Sequence, residues 1–262
     1  MRGELQDSDD LSVAVVGSRR ATAYGLEMAR RIAGDLAACG VTVVSGLARG
    51  IDEEAHRAAL QAGGRTLALL GSGIDRIYPR QSIRLAERIS NSGAILSEFP
   101  LGTPPLAGNF PVRNRLISGV SRGTLVVEAA PRSGSLITAR LALEQGREVF
   151  AVPGNATTQN AQGPNALIRE GAKLVVEALD ILEEIPGAPL PPRMEEDEAI
   201  AATPEEEEIL SRLSAADPMG VDELAAASGW EAGALQAALL KLEIESRVRQ
   251  FPGGRYIRTR RR

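Results

Sequence analysis

The sequence predicts an α/β protein: a doubly wound, mostly parallel sheet followed by a small helical unit that ends in a hairpin. Three observations carry this. Short apolar and β-branched runs recur about every 25 to 30 residues between Val13 and Val176, the length of one strand and one crossover helix. The runs are apolar at successive rather than alternating positions, as in strands covered on both faces. After Ile185 the pattern gives way to proline and acid, then to three short helical periods.

In order, the runs are "VAVVG" (13–17), "VTVVS" (41–45), "TLALL" (66–70), "AILSE" (94–98), "TLVVE" (124–128), "EVFAV" (148–152) and "KLVV" (173–176). Right-handed crossovers between them place helices on both faces of the sheet. Next, "PGAPLPPRMEEDEAIAATPEEEE" holds five prolines and two acidic clusters. It predicts an extended linker over 186–203 between a first domain at 1–185 and a second at 204–262, with a helix starting near Thr203 and Pro204. "PEEEEILSRLSA", "VDELAAASG" and "EAGALQAALLKLEIE" read as helices, and "RVRQF", "GG" and "RYIRT" as a hairpin. Three helices and a two-stranded wing make a winged-helix plan.

The composition, 44% hydrophobic and 24% charged over 262 residues, is that of an ordinary globular chain. No apolar stretch is long enough for a membrane span, and the acidic start is unlike a signal or transit peptide, so a cytoplasmic protein is expected. The formal charge of -4 conceals an uneven distribution: residues 1–185 hold 20 basic and 20 acidic side chains, and the rest 10 and 14. The first domain can therefore carry a local excess of either sign. Cys39 is the only cysteine, so neither an internal disulfide nor a structural zinc site is expected.

In an open α/β sheet the ligand crevice lies at the carboxyl ends of the strands, so the strand-to-helix junctions carry the information. The first offers Gly17, Ser18, Arg19 and Arg20. The second, "SGLARGID", offers Ser45, Gly46 and Arg49, and the third is "GSGIDRIYP". The fourth strand leads into "NFPVRNRLISG", read as a turn that gathers Phe110, Arg113, Asn114 and Arg115. The fifth leads into Arg132, Ser133, Gly134, Ser135 and Thr138 at a helix start. Glycine and serine at helix N-termini favour an anion, and arginine holds phosphate through paired hydrogen bonds. A row of such junctions suits successive phosphates of a nucleic-acid backbone, and Phe110 offers a face on which a base can stack. Plainer readings stand beside this one. Each Gly-Ser junction can be only a turn and a cap, Phe110 can fill the core, Arg49 can cap or pair with Asp52, and Asn114 can form a local turn.

Catalytic constellations are absent from the sequence. The single histidine, His56, lies one turn into a helix and reads as structural, leaving no triad and no H-x-x-x-H zinc pair. There is no G-x-x-x-x-G-K-[ST], and "GSG" at 71–73 lacks the third glycine of a dinucleotide fingerprint. Neither cofactor nor metal is expected. Glu98 and Glu128 are the only carboxylates considered for chemistry, and a cap or an arginine partner is the plainer reading of both.

"VGSRRAT", "SGLARGIDEEAHRAAL", "GSGIDRIYP", "SEFPLGTPPLAGNFPVRNRLISG", "TLVVEAAPRSGSLITARLALEQGREVFAVPG" and "GPNALIREGA" together resemble the bacterial DNA processing protein A family (DprA, also called Smf) over about residues 11–182. The tail resembles the winged helix that many members carry. The resemblance implies a Rossmann-like domain that is not an enzyme, binds single-stranded DNA without strong sequence preference, forms homodimers and helps load the recombinase RecA during natural transformation. It places the DNA pocket on Ser18 and Arg19, Ser45 and Gly46, Phe110, Arg113, Asn114 and Arg115, and Ser133 to Thr138. Some members carry a basic residue shortly before the Phe, where this chain has "LAGN", so more of the affinity is expected from Arg113 and Arg132. The N-terminal helical domain of many members has no counterpart before the first strand. Dimerisation is expected through the end of the sheet, with Leu167, Ile168 and Val175 as an apolar surface. The third winged-helix helix has one Lys among glutamates, which argues against major-groove reading, so the tail's arginines are left for backbone or protein contact. The competing reading is a nucleotide-processing enzyme of the lysine-decarboxylase-like phosphoribohydrolase type, supported by "GTLVVEA" with Glu128.

Overall fold

Strand β1 (Arg2–Gly3) precedes the first apolar run, which becomes β2 (Ser12–Val16) and is buried throughout. Then follow α1 (Ala23–Ala38), β3 (Thr42–Ser45), α2 (Ile51–Gln61), β4 (Thr66–Leu69), α3 (Ile83–Ser92), β5 (Ala94–Leu96), α4 (Asn109–Gly119), β6 (Gly123–Val126), α5 (Gly134–Glu144), β7 (Glu148–Ala151), α6 (Gln159–Arg169), β8 (Lys173–Leu174) and α7 (Leu179–Leu182). This computed structural model describes residues 1–189, 204–214, 218–244, 247–251 and 254–258, in two units, Met1–Pro192 and Arg193–Arg262. Residues 190–203, most of the expected linker, lie outside the described residues.

The eight strands pair in the order β1-β5-β4-β3-β2-β6-β7-β8. All pairs are parallel except β1 with β5. From β2 the chain moves outward through β3, β4 and β5, then returns to the other side of β2 as β6. Val13 thus lies between Val43 and Gly123. That reversal opens a crevice beyond the carboxyl ends of β2 and β6. Burial on both faces explains the unbroken apolar runs. Val13 and Val15 join Ile32, Leu36, Ile51, Leu125 and Phe150 in one core layer, while Ala14 and Val16 join Leu67, Ile117, Val126 and Ala139 in the other.

The sheet ends in two-residue strands on both sides. Short β1 has no apolar signal, and a side chain further along the chain holds the segment around it in place. Arg65 donates to both carboxylate oxygens of Asp9 (3.0 and 2.8 Å), to Glu4 O and to Ser92 O. At the opposite edge Val175 belongs to the core, which corrects its expected surface role, and Leu167 packs against the second core layer. Leu174, Val176 and Leu179 are the exposed apolar side chains there.

The second unit is a winged helix. Helices α8 (Pro204–Arg212), α9 (Val221–Ser228) and α10 (Ala232–Ile244) and strands β9 (Met219–Gly220), β10 (Val248–Phe251) and β11 (Arg255–Arg258) enclose Ile209, Leu213, Leu224, Leu235, Leu239, Leu242, Val248 and Tyr256. The strands are antiparallel in the order β10-β11-β9, and β9 is too short to have left a signal. Lys241, the single lysine of α10, is 2.6 Å from Glu206 on α8. Arg260, Arg261 and Arg262 lie outside the described residues.

Candidate nucleic-acid interface

Beyond the carboxyl ends of β2 and β6 lies an open cleft of about 970 Å³. Eleven of the fourteen residues expected in the site line it: Gly17, Ser18, Arg19, Phe110, Arg113, Asn114, Arg132, Ser133, Gly134, Ser135 and Thr138. Gly17 is required by close packing, since a Cβ there would sit 2.6 Å from Ile51 Cγ1 and 3.0 Å from Glu128 O. Arg19 and Arg132 are exposed on the rim.

The segment expected as a turn is helix α4, and its periodicity sorts the residues. Arg113 and Asn114 lie three and four residues after Phe110, and Ile117 lies four and three residues after them, and all line the cleft. Arg115, five residues after Phe110, is turned by about 140° from it at 3.6 residues per turn. It pairs with Glu98 outside the cleft, which corrects its expected place in the pocket. Proline at 111 is tolerated because it falls in the first helical turn.

Arg113 is 3% exposed. Its guanidinium donates to Gly46 O (2.9 Å) and to Leu69 O and faces Asp52, while burial draws its pKa down to about 10. Asp52 is itself buried. Desolvation raises its pKa against the opposing pull of Arg113, and it accepts the Gly46 N–H at 3.1 Å. Gly46 has no room for a side chain, since a Cβ would lie 2.6 Å from Arg113 Nη2. Ser45 is fully buried and donates to Val15 O (2.6 Å). Ser45 and Gly46 are therefore part of the floor that holds Arg113, which corrects their expected role as ligand contacts. Arg113 is a pin whose upper side lines the cleft.

Phe110 is half-buried above that pin. Arg19 Cζ lies 5.3 Å from the ring centroid, Arg113 Cζ 6.0 Å, and the Tyr78 ring 5.9 Å away at 41°. Asn114 Nδ2 donates to Gly134 O (3.1 Å), tying α4 to the start of α5. Ser133 caps α5, its hydroxyl 2.7 Å from that of Ser135. Tyr78 and Asp52 were not singled out from the sequence. Tyr78 lay in the third junction, which showed no helix start, and Asp52 gave no signal beyond a possible pairing with Arg49.

The helix N-termini are less alike than their glycines and serines suggest. At α1 the anion position is filled from within: Glu128 accepts the Thr22 N–H (2.9 Å) and the Thr22 hydroxyl. At α2 the first amide, Ile51 N, donates to Ser18 O (3.2 Å). The start of α5 lines the cleft, and space beside Gly134 is open, with no atom within 4 Å of a built Cβ.

The geometry can be set beside known proteins. Residues 1–186 match the model of the DNA recombination-mediator protein A family, and residues 191–254 that of the DprA winged helix domain. The chain belongs to the DNA recombination-mediator protein A family. Protein Smf of Escherichia coli (strain K12) is 46% identical over 269 residues, which cover 100% of this chain and 71% of that protein. DNA processing protein DprA of Bacillus subtilis (strain 168) is 47% identical over 174 residues, 66% of this chain and 59% of that protein. The X-ray structure of DprA from Streptococcus pneumoniae matches with a TM-score of 0.67 at 46% identity, covering 70% of this chain and 65% of that chain. DNA processing protein A of Helicobacter pylori, described for its unique single-stranded DNA binding mode, matches with a TM-score of 0.64 at 31% identity, covering 70% and 86%. The chain thus spans from about three fifths to about seven tenths of these two curated relatives.

In this member of the recombination-mediator family, the groups considered for chemistry are engaged elsewhere. Glu128 caps α1 and accepts from Asn160 Nδ2 (3.2 Å), and Glu98 holds Arg115. Arg49 neither caps nor pairs with Asp52; it donates to Gln81 Oε1 (3.1 Å). His56 is fully buried with Nδ1 2.6 Å from Thr66 Oγ1. The Thr66 hydroxyl gives its one proton to Val43 O (2.7 Å), so His56 Nδ1 carries the proton and Nε2 is bare and without a partner. Among the described residues no group of three His, Cys, Asp or Glu is placed to hold a metal ion, and no helix is long and apolar enough to cross a membrane.

Proposed function

We propose that the cleft binds single-stranded DNA without sequence preference, and that this chain acts as a recombination mediator that loads RecA onto strands taken up in natural transformation. The observation that carries the DNA reading is the Phe110 ring, half-buried near the guanidiniums of Arg19 and Arg113 in a cleft whose rim bears Arg19 and Arg132. A base stacks on such a ring whatever its identity, and rim arginines with the start of α5 receive the flanking phosphates. Pinning by Arg113 and Asn114 fixes the ring before the strand arrives, so little order has to be created on binding. The single-stranded DNA binding described for the Helicobacter pylori relative supports the same ligand. RecA loading and homodimer formation rest on family membership. Leu174, Val176 and Leu179 support a second copy at the β8 edge, where they are exposed.

Fluorescence anisotropy with labelled oligo-dT, mixed-sequence strands and a hairpin duplex tests the reading. Single strands are expected to bind better than duplex, with affinity falling steeply as salt rises. Phe110→Ala is expected to cost about 1 to 3 kcal/mol, roughly 5- to 150-fold in Kd, on every single strand. Arg19→Ala is expected to weaken all sequences alike and to flatten the log–log salt slope by about 0.7, the value of one phosphate contact on a single strand. Equal affinity for strand and duplex in the intact protein overturns the proposal.

A further inference from the structure

We propose that the exposed face of α3 is a second contact for the nucleic-acid backbone, carrying a strand onward from the cleft. The inference rests on the single-stranded DNA reading of that cleft. Tyr78 stands in the cleft beside Phe110. Two residues later Arg80 opens the turn Arg80–Ser82, which leads directly into α3. Arg80, Arg84 and Arg88 follow at four-residue intervals, and all three are exposed. Arg84 and Arg88, four apart on α3, share a helix face about 6 Å from one to the next along the axis, and Arg80 precedes them on the adjoining turn. The opposite face of α3 is spent on the core through Leu85, Ala86 and Ile89. Arg49, exposed and bonded to Gln81, adds a fourth cation beside the start of the row.

Neither of the two preceding helices carries a comparable row, and Arg31 on α1 donates to Val176 O. On α1 and α2, Arg30 pairs with Glu27 (3.0 Å) and Glu54 (2.6 Å), and Arg57 with Glu53 (2.7 Å). Among the described residues no carboxylate lies within 4.0 Å of Arg80, Arg84 or Arg88. Glu87, the single acidic residue of α3, shares the outer face without closing on either neighbour. Like charges four apart slightly destabilise a helix, where an acid at one of those positions would stabilise it. Exposed cations leading from the turn after Tyr78 onto one face of α3 are complementary to a chain of phosphates, which releases counterions at each contact.

The test compares oligo-dT of about 6 and about 24 nucleotides, lengths chosen to fill the cleft alone or to run past it. The triple variant Arg80→Gln, Arg84→Gln, Arg88→Gln keeps the helix-forming length of each side chain, and its circular-dichroism melt checks the fold. It is expected to bind the short strand as the intact protein does. On the long strand it is expected to lose about five- to tenfold in affinity at low salt, with a log–log salt slope shallower by about 2, three contacts at 0.7 each. Unchanged binding of the long strand, or the same loss on both lengths, overturns the α3 contact while leaving the cleft reading intact. If the intact protein fails to bind the short strand, the cleft reading falls and this extension with it.

Discussion

Arg113→Ala is expected to destabilise the first unit by about 3 to 5 kcal/mol, the cost of stranding one charge of a buried pair. The guanidinium opposes Asp52 and holds the carbonyls of Gly46 and Leu69. Without it, two carbonyls lose their donor, and the Asp52 carboxylate keeps the Gly46 N–H but loses its countercharge. For a unit of this size the loss corresponds to a drop in Tm of roughly 6 to 20 °C. The pH dependence has a definite sign. Burial already raises the Asp52 pKa, and losing the cation raises it further. A carboxyl whose folded pKa is raised favours the fold most below its unfolded pKa of about 3.9, and that contribution is lost as pH climbs through the folded value. The deficit of Arg113→Ala is therefore smallest in acid and grows toward neutrality, and Asp52→Asn in the same background recovers part of it. Thermal melts across pH check this. A neutral-pH Tm within about 2 °C of the intact protein contradicts the pinning role.

His56→Gln is expected to flatten the acid limb of the stability curve. Burial, with a smaller push from Arg113, draws the histidine pKa from 6.5 to about 3. The bare Nε2 has no acceptor to meet an added proton. For a histidine with a depressed folded pKa, the contribution to stability is fully present above about 6.5 and is lost as pH falls toward 3. The slope is about 1.4 kcal/mol per pH unit, so the intact protein loses roughly 2 kcal/mol between pH 6.5 and pH 5 through this one group. Urea midpoints at pH 7 and pH 5 should converge in the variant relative to the intact chain. Parallel shifts in the two proteins would place the acid sensitivity elsewhere.

The sheet was legible because burial on both faces writes itself as uninterrupted apolar runs. Val13 to Val16 needs both core layers, and no alternating pattern could satisfy them. The same alternation pointed to the carboxyl ends of the strands, where Gly17, Arg19 and Ser133 lie, but the reversal of strand order that brings them together came only with the topology. Residue type alone could not tell which groups face a ligand and which hold the floor. Arg113, Arg115 and Arg132 are chemically alike, yet one is buried against Asp52, one is paired with Glu98, and one stands on the rim. The helical phase of α4 made the distinction, and a proline with polar residues around it had disguised the helix as a turn. Glu128 is similar: a cap was among its expected roles, but nothing local says that the helix it caps begins at 23. Strands β1, β8 and β9 are two residues each, shorter than any window in which periodicity can be counted.

The brevity of β1 and β8 limits how this unit can associate. A ladder needs several free amides and carbonyls in register to recruit another strand, and a two-residue margin presents too few. A second molecule that settles on either flank has to do so by fitting side chains together rather than by continuing the hydrogen-bonded array. Any association at these flanks would therefore respond to one or two surface residues while the central architecture stays unaltered.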